Sequence, residues 1–346
     1  MIKTDSIFHY PHEFELESGK KLQGFQLKYT TYGQLTQERD NVVWVCHALT
    51  GSSDFADWWA GFFDSDSPYP PQEYFIICAN TLGGCYGSTG PLSMNPSTEQ
   101  PYFHDFPQLT NRDIVRAFDL LRHHLQIGKV HTVIGGSLGG QQAIEWAIEK
   151  PNVFEHLVAI ATNAAHSPWG IAFNEAQRMA IEADVTWKEN DERAGIEGLK
   201  AARAIAMISY RAYQGYEIKQ SEKTDDKLDG FRAASYQRYQ GQKLANRFNA
   251  FTYWLLTKVM DSHNVGRGRK SIEAALQKIT AETLVVGIES DLLYPISEQK
   301  FLASHIAQAK FEKIASQYGH DGFLVEFEQL KEVVKKFLSV PALVRN

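Results

Sequence analysis

The hexapeptide Gly135-Gly136-Ser137-Leu138-Gly139-Gly140 stands where a strand-length apolar run, Val130 to Ile134, meets a helical pattern that continues through Lys150. A serine on so sharp a bend has a strained backbone that projects its Oγ above the sheet. The glycines are required because a Cβ there would strike the strand or the helix. A glycine-rich turn without chemistry is the bland alternative, and the strand–turn–helix context weighs against it. A hydroxyl alone is a weak nucleophile; it needs an imidazole base, itself held by a carboxylate.

In this type of site the chain order is serine, acid, histidine. Five histidines follow Ser137: His156, His166, His263, His305 and His320. His156 precedes an apolar run, His305 sits in a helical pattern, and His166 and His263 come before any late strand. His320, in a Tyr-Gly-His-Asp-Gly loop just past the last expected strand, is the base by elimination and position. The acid should end the strand before that one. Asp291 lies in the loop after Leu284 to Ile288 and is preferred; Glu289 is the alternative. An oxyanion hole needs two backbone N–H groups. Leu138, next to the nucleophile, offers one. Leu49, in the His47-Ala48-Leu49-Thr50-Gly51 loop, offers the other. His47 precedes the nucleophile and reads as a structural residue of that turn.

These residues need a frame. Val42 to Cys46, Tyr74 to Cys78, Val130 to Ile134, His156 to Ala161, Thr283 to Ile288 and Lys310 to Ala315 read as strands of a mostly parallel sheet buried on both faces. Helical patterns at Asp113 to Gln126, Gly140 to Lys150 and Ser297 to Ala309 alternate with them, an α/β arrangement. From 166 to 278 the β-branched runs vanish. Gly198 to Tyr213 and Gln242 to Met260 keep helical register, and Gln220 to Asp229 reads as a polar loop. The expected division is a core of residues 1–165 and 279–346 interrupted by a helical cap, 166–278.

Composition narrows the class. The 346 residues are 43% hydrophobic, too many for a disordered chain, and carry a formal net charge of −6, the wrong sign for phosphate-driven nucleic-acid binding. Three cysteines without metal-type spacing fit a reducing cytoplasm. No apolar stretch reaches membrane-spanning length, and Met1 to Leu16 lacks the pattern of a signal peptide. Gly266-Arg267-Gly268 has no preceding strand, and Asn80 to Gly90 has no following Lys, so no nucleotide-binding loop is expected. The pair His123-His124 reads as a solvated helix face, and no metal is expected.

Several segments resemble the homoserine O-acyltransferase family, α/β-hydrolase-fold enzymes of methionine biosynthesis. They are His47 to Ser52, Asn80 to Pro91, Gly135 to Ala143, Asn163 to Arg178, Gly198 to Arg203, Ser209 to Arg211, Asp261 to Arg269, Ser290-Asp291 and Gly319-His320-Asp321. Leu138 replaces the Met of many members, which leaves its backbone donor intact. The resemblance implies an α/β-hydrolase fold with a helical lid, L-homoserine as acceptor, and acetyl-CoA as a donor substrate with no permanently bound cofactor. It places the acceptor carboxylate on Arg203 and Tyr210 and the acceptor ammonium on Asp321. It further implies ping-pong chemistry through an acetyl-serine, and a homodimer. Bland readings of Arg203, Tyr210 and Asp321 are packing and helix capping. Succinyl-CoA as donor and serine as acceptor remain open. The sequence shows no extra Arg near the Leu49 or Gly83 to Gly90 loops, which favours the uncharged acetyl group. An esterase and a catalytically silent binding protein are the rival classes.

Overall fold

The computed structural model describes residues 3–339. Its strands are β1 (Lys3–Glu15), β2 (Lys21–Tyr32), β3 (Val42–Cys46), β4 (Phe75–Ala79), a short pair β5 (Met94–Asn95) and β6 (Gln100–Pro101), β7 (Val130–Gly136), β8 (Phe154–Ile160), β9 (Glu282–Ile288) and β10 (Ala309–Ile314). All but β5 and β6 form one sheet in the order β1-β2-β4-β3-β7-β8-β9-β10. From β4 to β10 the pairing is parallel, as the continuous apolar runs predict.

The β1–β2 hairpin is an addition to the expected sheet. It joins β4 antiparallel and carries a register shift between Tyr10 and Glu13. In β1 only Phe8 and Phe14 are buried, so this edge strand has no apolar run to announce it. In β2 the spacing Phe25, Leu27, Tyr29 is the period-2 signal of a half-buried strand.

Helices cover both faces. The helices of the core are α1 (Phe55–Trp58), α2 (Asn111–His124) and α3 (Leu138–Glu149), with α10 (Ile296–His305) and α11 (Phe327–Leu338) after the insertion. Helices α2 and α3 bury Phe118, Ile144 and Trp146 against Trp44 on one face. On the other, Phe55 and Trp59 join Leu330, Val334 and Phe337 of α11 over Val45, Ile134 and Val158. Helix α2 starts on a capping box: Thr110 accepts from the Asp113 N–H, and the Asp113 carboxylate accepts from the Thr110 N–H.

Between β8 and β9 lie α4 (Pro168–Glu182), α5 (Ile196–Tyr210), α6 (Tyr213–Gln220), α7 (Arg232–Ala245), α8 (Ala250–Asp261) and α9 (Ile272–Leu276). The chain leaves and re-enters the core side by side. Ala165 and Asn264 form a β-bridge, and the His166 N–H donates to the His263 carbonyl at 2.9 Å. Two helical spans differ from expectation. The run Gln242 to Met260 is broken into α7 and α8, because the Asn249 side chain accepts from the Thr252 N–H at 2.8 Å and starts a new helix. The run Gly198 to Tyr213 ends at Tyr210, where Arg211 turns extended. The segment between Gln220 and Arg232 holds no helix or strand, in line with the expected polar loop. No helix among the described residues is long and apolar enough to cross a membrane.

Candidate active site

Strand β7 delivers Ser137 onto α3 through a residue with φ 57° and ψ −124°, a left-handed conformation that costs a non-glycine residue energy. Neighbouring hydrogen bonds hold it there. The Ser137 N–H donates to the Ile160 carbonyl at 3.0 Å, and its own carbonyl accepts from the Thr162 hydroxyl at 2.9 Å. A Cβ on Gly139 would lie 2.0 Å from the Cys46 carbonyl oxygen, so only glycine lets α3 start this close to β3.

Cys46 and Gly135 pair across β3 and β7, so the turns leaving those strands stand side by side. Leu49 occupies one turn and Leu138 opens α3 on the other. Neither N–H has a backbone acceptor among the described residues. His47 secures the Leu49 turn. Its Nδ1 bonds the Ala48 carbonyl at 2.8 Å and its Nε2 accepts from the Thr81 N–H at 3.0 Å. Burial pushes its pKa down to about 4, so it stays neutral in that bridge. The contacts are those of a structural histidine.

The acid and the base meet 29 residues apart in the chain. His320 Nδ1 donates to Asp291 Oδ2 at 2.7 Å, and both residues are buried. Asp291 Oδ1 accepts from the Leu293 and Tyr294 N–H groups at 2.8 and 2.9 Å, which fixes the carboxylate. With its Nδ1–H engaged in the hydrogen bond to Asp291, His320 presents the Nε2 lone pair a base requires. Ser290 ties the two loops: its hydroxyl donates to the Ser316 carbonyl at 2.6 Å and accepts from the Gly319 N–H at 3.1 Å. Glu289, the alternative acid, is instead half-exposed and paired with Lys313.

Two aromatic residues tie the histidine loop to the serine turn. The Tyr294 ring stacks on His320 with centroids 5.0 Å apart, and its hydroxyl accepts from Gln141 Nε2, one helical turn after Ser137, at 3.4 Å. The Phe323 ring packs on Gly136 and lies 5.4 Å from the His320 ring. Tyr294 carried no distinguishing sign in the sequence beyond its place three residues after Asp291. Burial raises the Tyr294 pKa well above the ordinary 10.0, so it stays a protonated phenol. Glu298 was missed as well. Its carboxylate accepts from Asn163 Nδ2 at 2.8 Å, and burial, aided by the Asp291 charge, raises its pKa to about 7.

Arg203 and Tyr210 share one face of α5, the guanidinium 5.2 Å from the phenol ring centroid. Tyr210 in turn stands 5.8 Å from the His320 ring. Gly319 packs so tightly on the end of α5 that a Cβ would come within 2.8 Å of the Ala212 nitrogen; this contact seats the histidine loop against Tyr210. Among the described residues no carboxylate lies within salt-bridge distance of Arg203. Asp321 differs: its carboxylate pairs with Arg211 at 3.2 Å, inside the short helical turn Gly319–Leu324, which gives it a partner the sequence did not foretell.

One expectation is corrected. An arginine does reach the Leu49 and Gly83 to Gly90 loops: Arg247 donates to the Thr50 carbonyl at 2.7 Å and to the Tyr86 hydroxyl at 2.5 Å. It comes from the turn between α7 and α8, nearly 200 residues after Thr50, so proximity in sequence could not reveal it. His123 and His124 are both exposed on α2, as expected of a solvated face, with His123 3.4 Å from Asp119 and His124 beside the Phe8 ring.

A family model described as the alpha/beta hydrolase fold matches residues 41–327. The chain is 49% identical over 334 residues to a homoserine O-acetyltransferase of Cyclobacterium marinum, covering 96% of this chain and 95% of that protein. A solved structure of homoserine O-acetyltransferase from Staphylococcus aureus superposes with a TM-score of 0.83 at 30% identity, covering 99% and 98% of the two chains. A crystal structure of the esterase E22 L374D mutant superposes with a TM-score of 0.87 at 23% identity, covering 98% of this chain and all of that one, a likeness of fold alone. With full-length identity of this order and the same central sheet, the chain belongs to the homoserine O-acetyltransferase family of α/β-hydrolase-fold acyltransferases.

Proposed function

We propose that this protein moves an acetyl group from acetyl-CoA to the hydroxyl of L-homoserine, giving O-acetyl-L-homoserine and CoA for methionine biosynthesis. His320 Nε2 takes the Ser137 proton as Oγ attacks the thioester carbonyl. The oxyanion is held by the N–H groups of Leu49 and Leu138. Collapse expels CoA thiolate, which recovers the proton from His320, and leaves acetyl-Ser137. Homoserine then gives its hydroxyl proton to His320 and attacks the same carbonyl, and Ser137 leaves with that proton. The triad and donors serve both halves of a ping-pong cycle.

The observation that carries the acceptor reading is the Arg203 guanidinium, without a carboxylate partner among the described residues, over the ring of Tyr210, which itself stands against His320. A planar fork free of protein carboxylates is a ready partner for an amino-acid carboxylate. Asp321 would bind the ammonium, in competition with Arg211. The helical segment 166–278 is the cap that keeps water from the acyl-enzyme.

Arg247 bears on the donor. With Lys3, Lys28 and Lys243 it lines a cleft of about 530 Å³ that also includes Asp5, Asp54, Asp57 and Thr50, the residue after Leu49. We assign these cations to the phosphates of CoA. A succinyl carboxylate is the second use Arg247 would serve, so succinyl-CoA stays the alternative donor. Exposed Trp169, Met179 and Ile208 on α4 and α5 support a homodimer built through these helices, to be measured by sedimentation.

Incubation with acetyl-CoA alone should give a protein adduct of one acetyl mass on Ser137, discharged by homoserine. Sequential kinetics with no adduct would overturn the scheme. Crossing acetyl- and succinyl-CoA with homoserine and serine in one steady-state assay identifies the pair.

A further inference from the structure

At the opposite end of β7 from Ser137 lies a group the acyl-transfer chemistry does not use. His131 on β7 and Glu155 and His156 on β8 each bring one ligand atom to within 4.8 Å of the others. The strands fix this grouping, because β7 and β8 pair in parallel with Thr132 opposite His156. Both imidazoles are already oriented. His156 Nδ1 bonds the His131 carbonyl at 3.0 Å, and His131 Nδ1 bonds the Thr132 hydroxyl at 2.9 Å. Each ring therefore keeps Nε2 as its unengaged nitrogen. Binding of the second ring nitrogen to a carbonyl or hydroxyl is how metal-ligating histidines are commonly held in place. Aromatic rings wall the pair: Tyr74 lies 5.1 Å from His131 and Phe337 5.6 Å from His156. Glu155 is exposed, so solvent can complete the coordination shell.

We propose that His131, Glu155 and His156 form a binding site for one Zn²⁺ ion that staples β7 to β8 at the end of the sheet remote from the catalytic serine. Two imidazole nitrogens and a carboxylate suit zinc or its neighbours copper and nickel, and not magnesium or calcium, which prefer oxygen ligands. Six residues of extended chain separate His131 from Ser137, roughly 20 Å, so the ion touches no reacting atom. Its role is to stabilise the strand pair that carries the nucleophile.

The test uses the full chain without a histidine tag, stripped with a chelator. Calorimetric titration with Zn²⁺ should show one saturable site. At a free ion concentration one hundred times Kd, Tm should rise by about 4 °C, and Mg²⁺ should give no shift. Glu155→Gln, an exposed change that leaves folding intact, should weaken binding at least tenfold; His156→Gln should abolish it. Co²⁺ should give visible absorption bands that are lost in both variants. Zinc binding and Tm shifts that persist unchanged in both variants would overturn the proposal, pointing to another ligand such as the partly exposed Cys85. Absence of any saturable site would do so equally. Homoserine acetylation in Glu155→Gln should match the parent chain.

Discussion

The loops at the ends of the sheet and the inserted helices contribute to the site in opposite electrostatic conditions. The sheet loops hold a finished device: Asp291 accepts three hydrogen bonds, His320 is oriented, and Ser137 is held in a strained turn by its neighbours. The insertion holds a charge in waiting: Arg203 lacks a carboxylate partner among the described residues, whereas Asp321, on the histidine loop, already has one in Arg211 from the end of α5. A reaction centre gains from preorganisation, since groups aimed beforehand need not reorganise in the transition state. A subsite for a zwitterion gains from charges that the substrate itself completes. Chemistry should therefore fail when the sheet loops change, and selectivity when the helices change.

The sharpest break of that contrast is Ser137→Ala, expected to lower kcat by on the order of 10⁵–10⁶ and to abolish the acetyl adduct in mass spectra. Asp291→Asn keeps the shape but removes the charge that fixes the His320 tautomer. A fall in kcat of about 10⁴ is expected, with homoserine KM little changed. Arg203→Met should act on the other region alone. Its kcat/KM for homoserine should drop by about 10²–10³, while acetylation of Ser137 by p-nitrophenyl acetate in a stopped-flow burst continues. Equal loss in both half-reactions would erase the division. Arg247→Met should raise the KM for acetyl-CoA by roughly tenfold and leave the p-nitrophenyl acetate burst in place.

The smallest effect concerns Glu298. Its folded pKa of about 7 exceeds the ordinary 4.5, so between those values the native state holds a proton the unfolded chain has released. Its contribution is present below pH 4.5 and is lost as pH rises through 7. Glu298→Gln should therefore flatten the fall of stability across that window, gaining on the order of 1–2 kcal/mol over the parent at pH 8 after allowance for solvent contact. Denaturant unfolding at pH 5 and pH 8 measures it; a difference independent of pH would show that the carboxyl titrates normally in the fold.

Much of the frame was legible because burial on two faces writes itself as unbroken apolar runs. Val42–Cys46 is read residue for residue, and Val130 to Ile134 ends where the strand's last glycines begin. The β1–β2 hairpin was not legible, since β1 sits at a half-solvated edge and is interrupted by an irregular register. Helical register also misled where it ran through Asn246 and Asn249: both faces of the pattern continue, while an asparagine cap stops one helix and starts the next.

The serine turn, the order of the triad residues and the alternation of strand and helix are properties of neighbours along the chain, where local sterics and periodicity act, and the sequence by itself determined them. The partners of charges are a property of space. Arg247 against Thr50, Arg211 against Asp321 and Tyr294 between Gln141 and His320 arise from contacts between elements far apart in the chain. Only the packed tertiary structure decided these, because a Coulombic or stacking partner is chosen by distance across the fold and leaves no spacing rule in the chain.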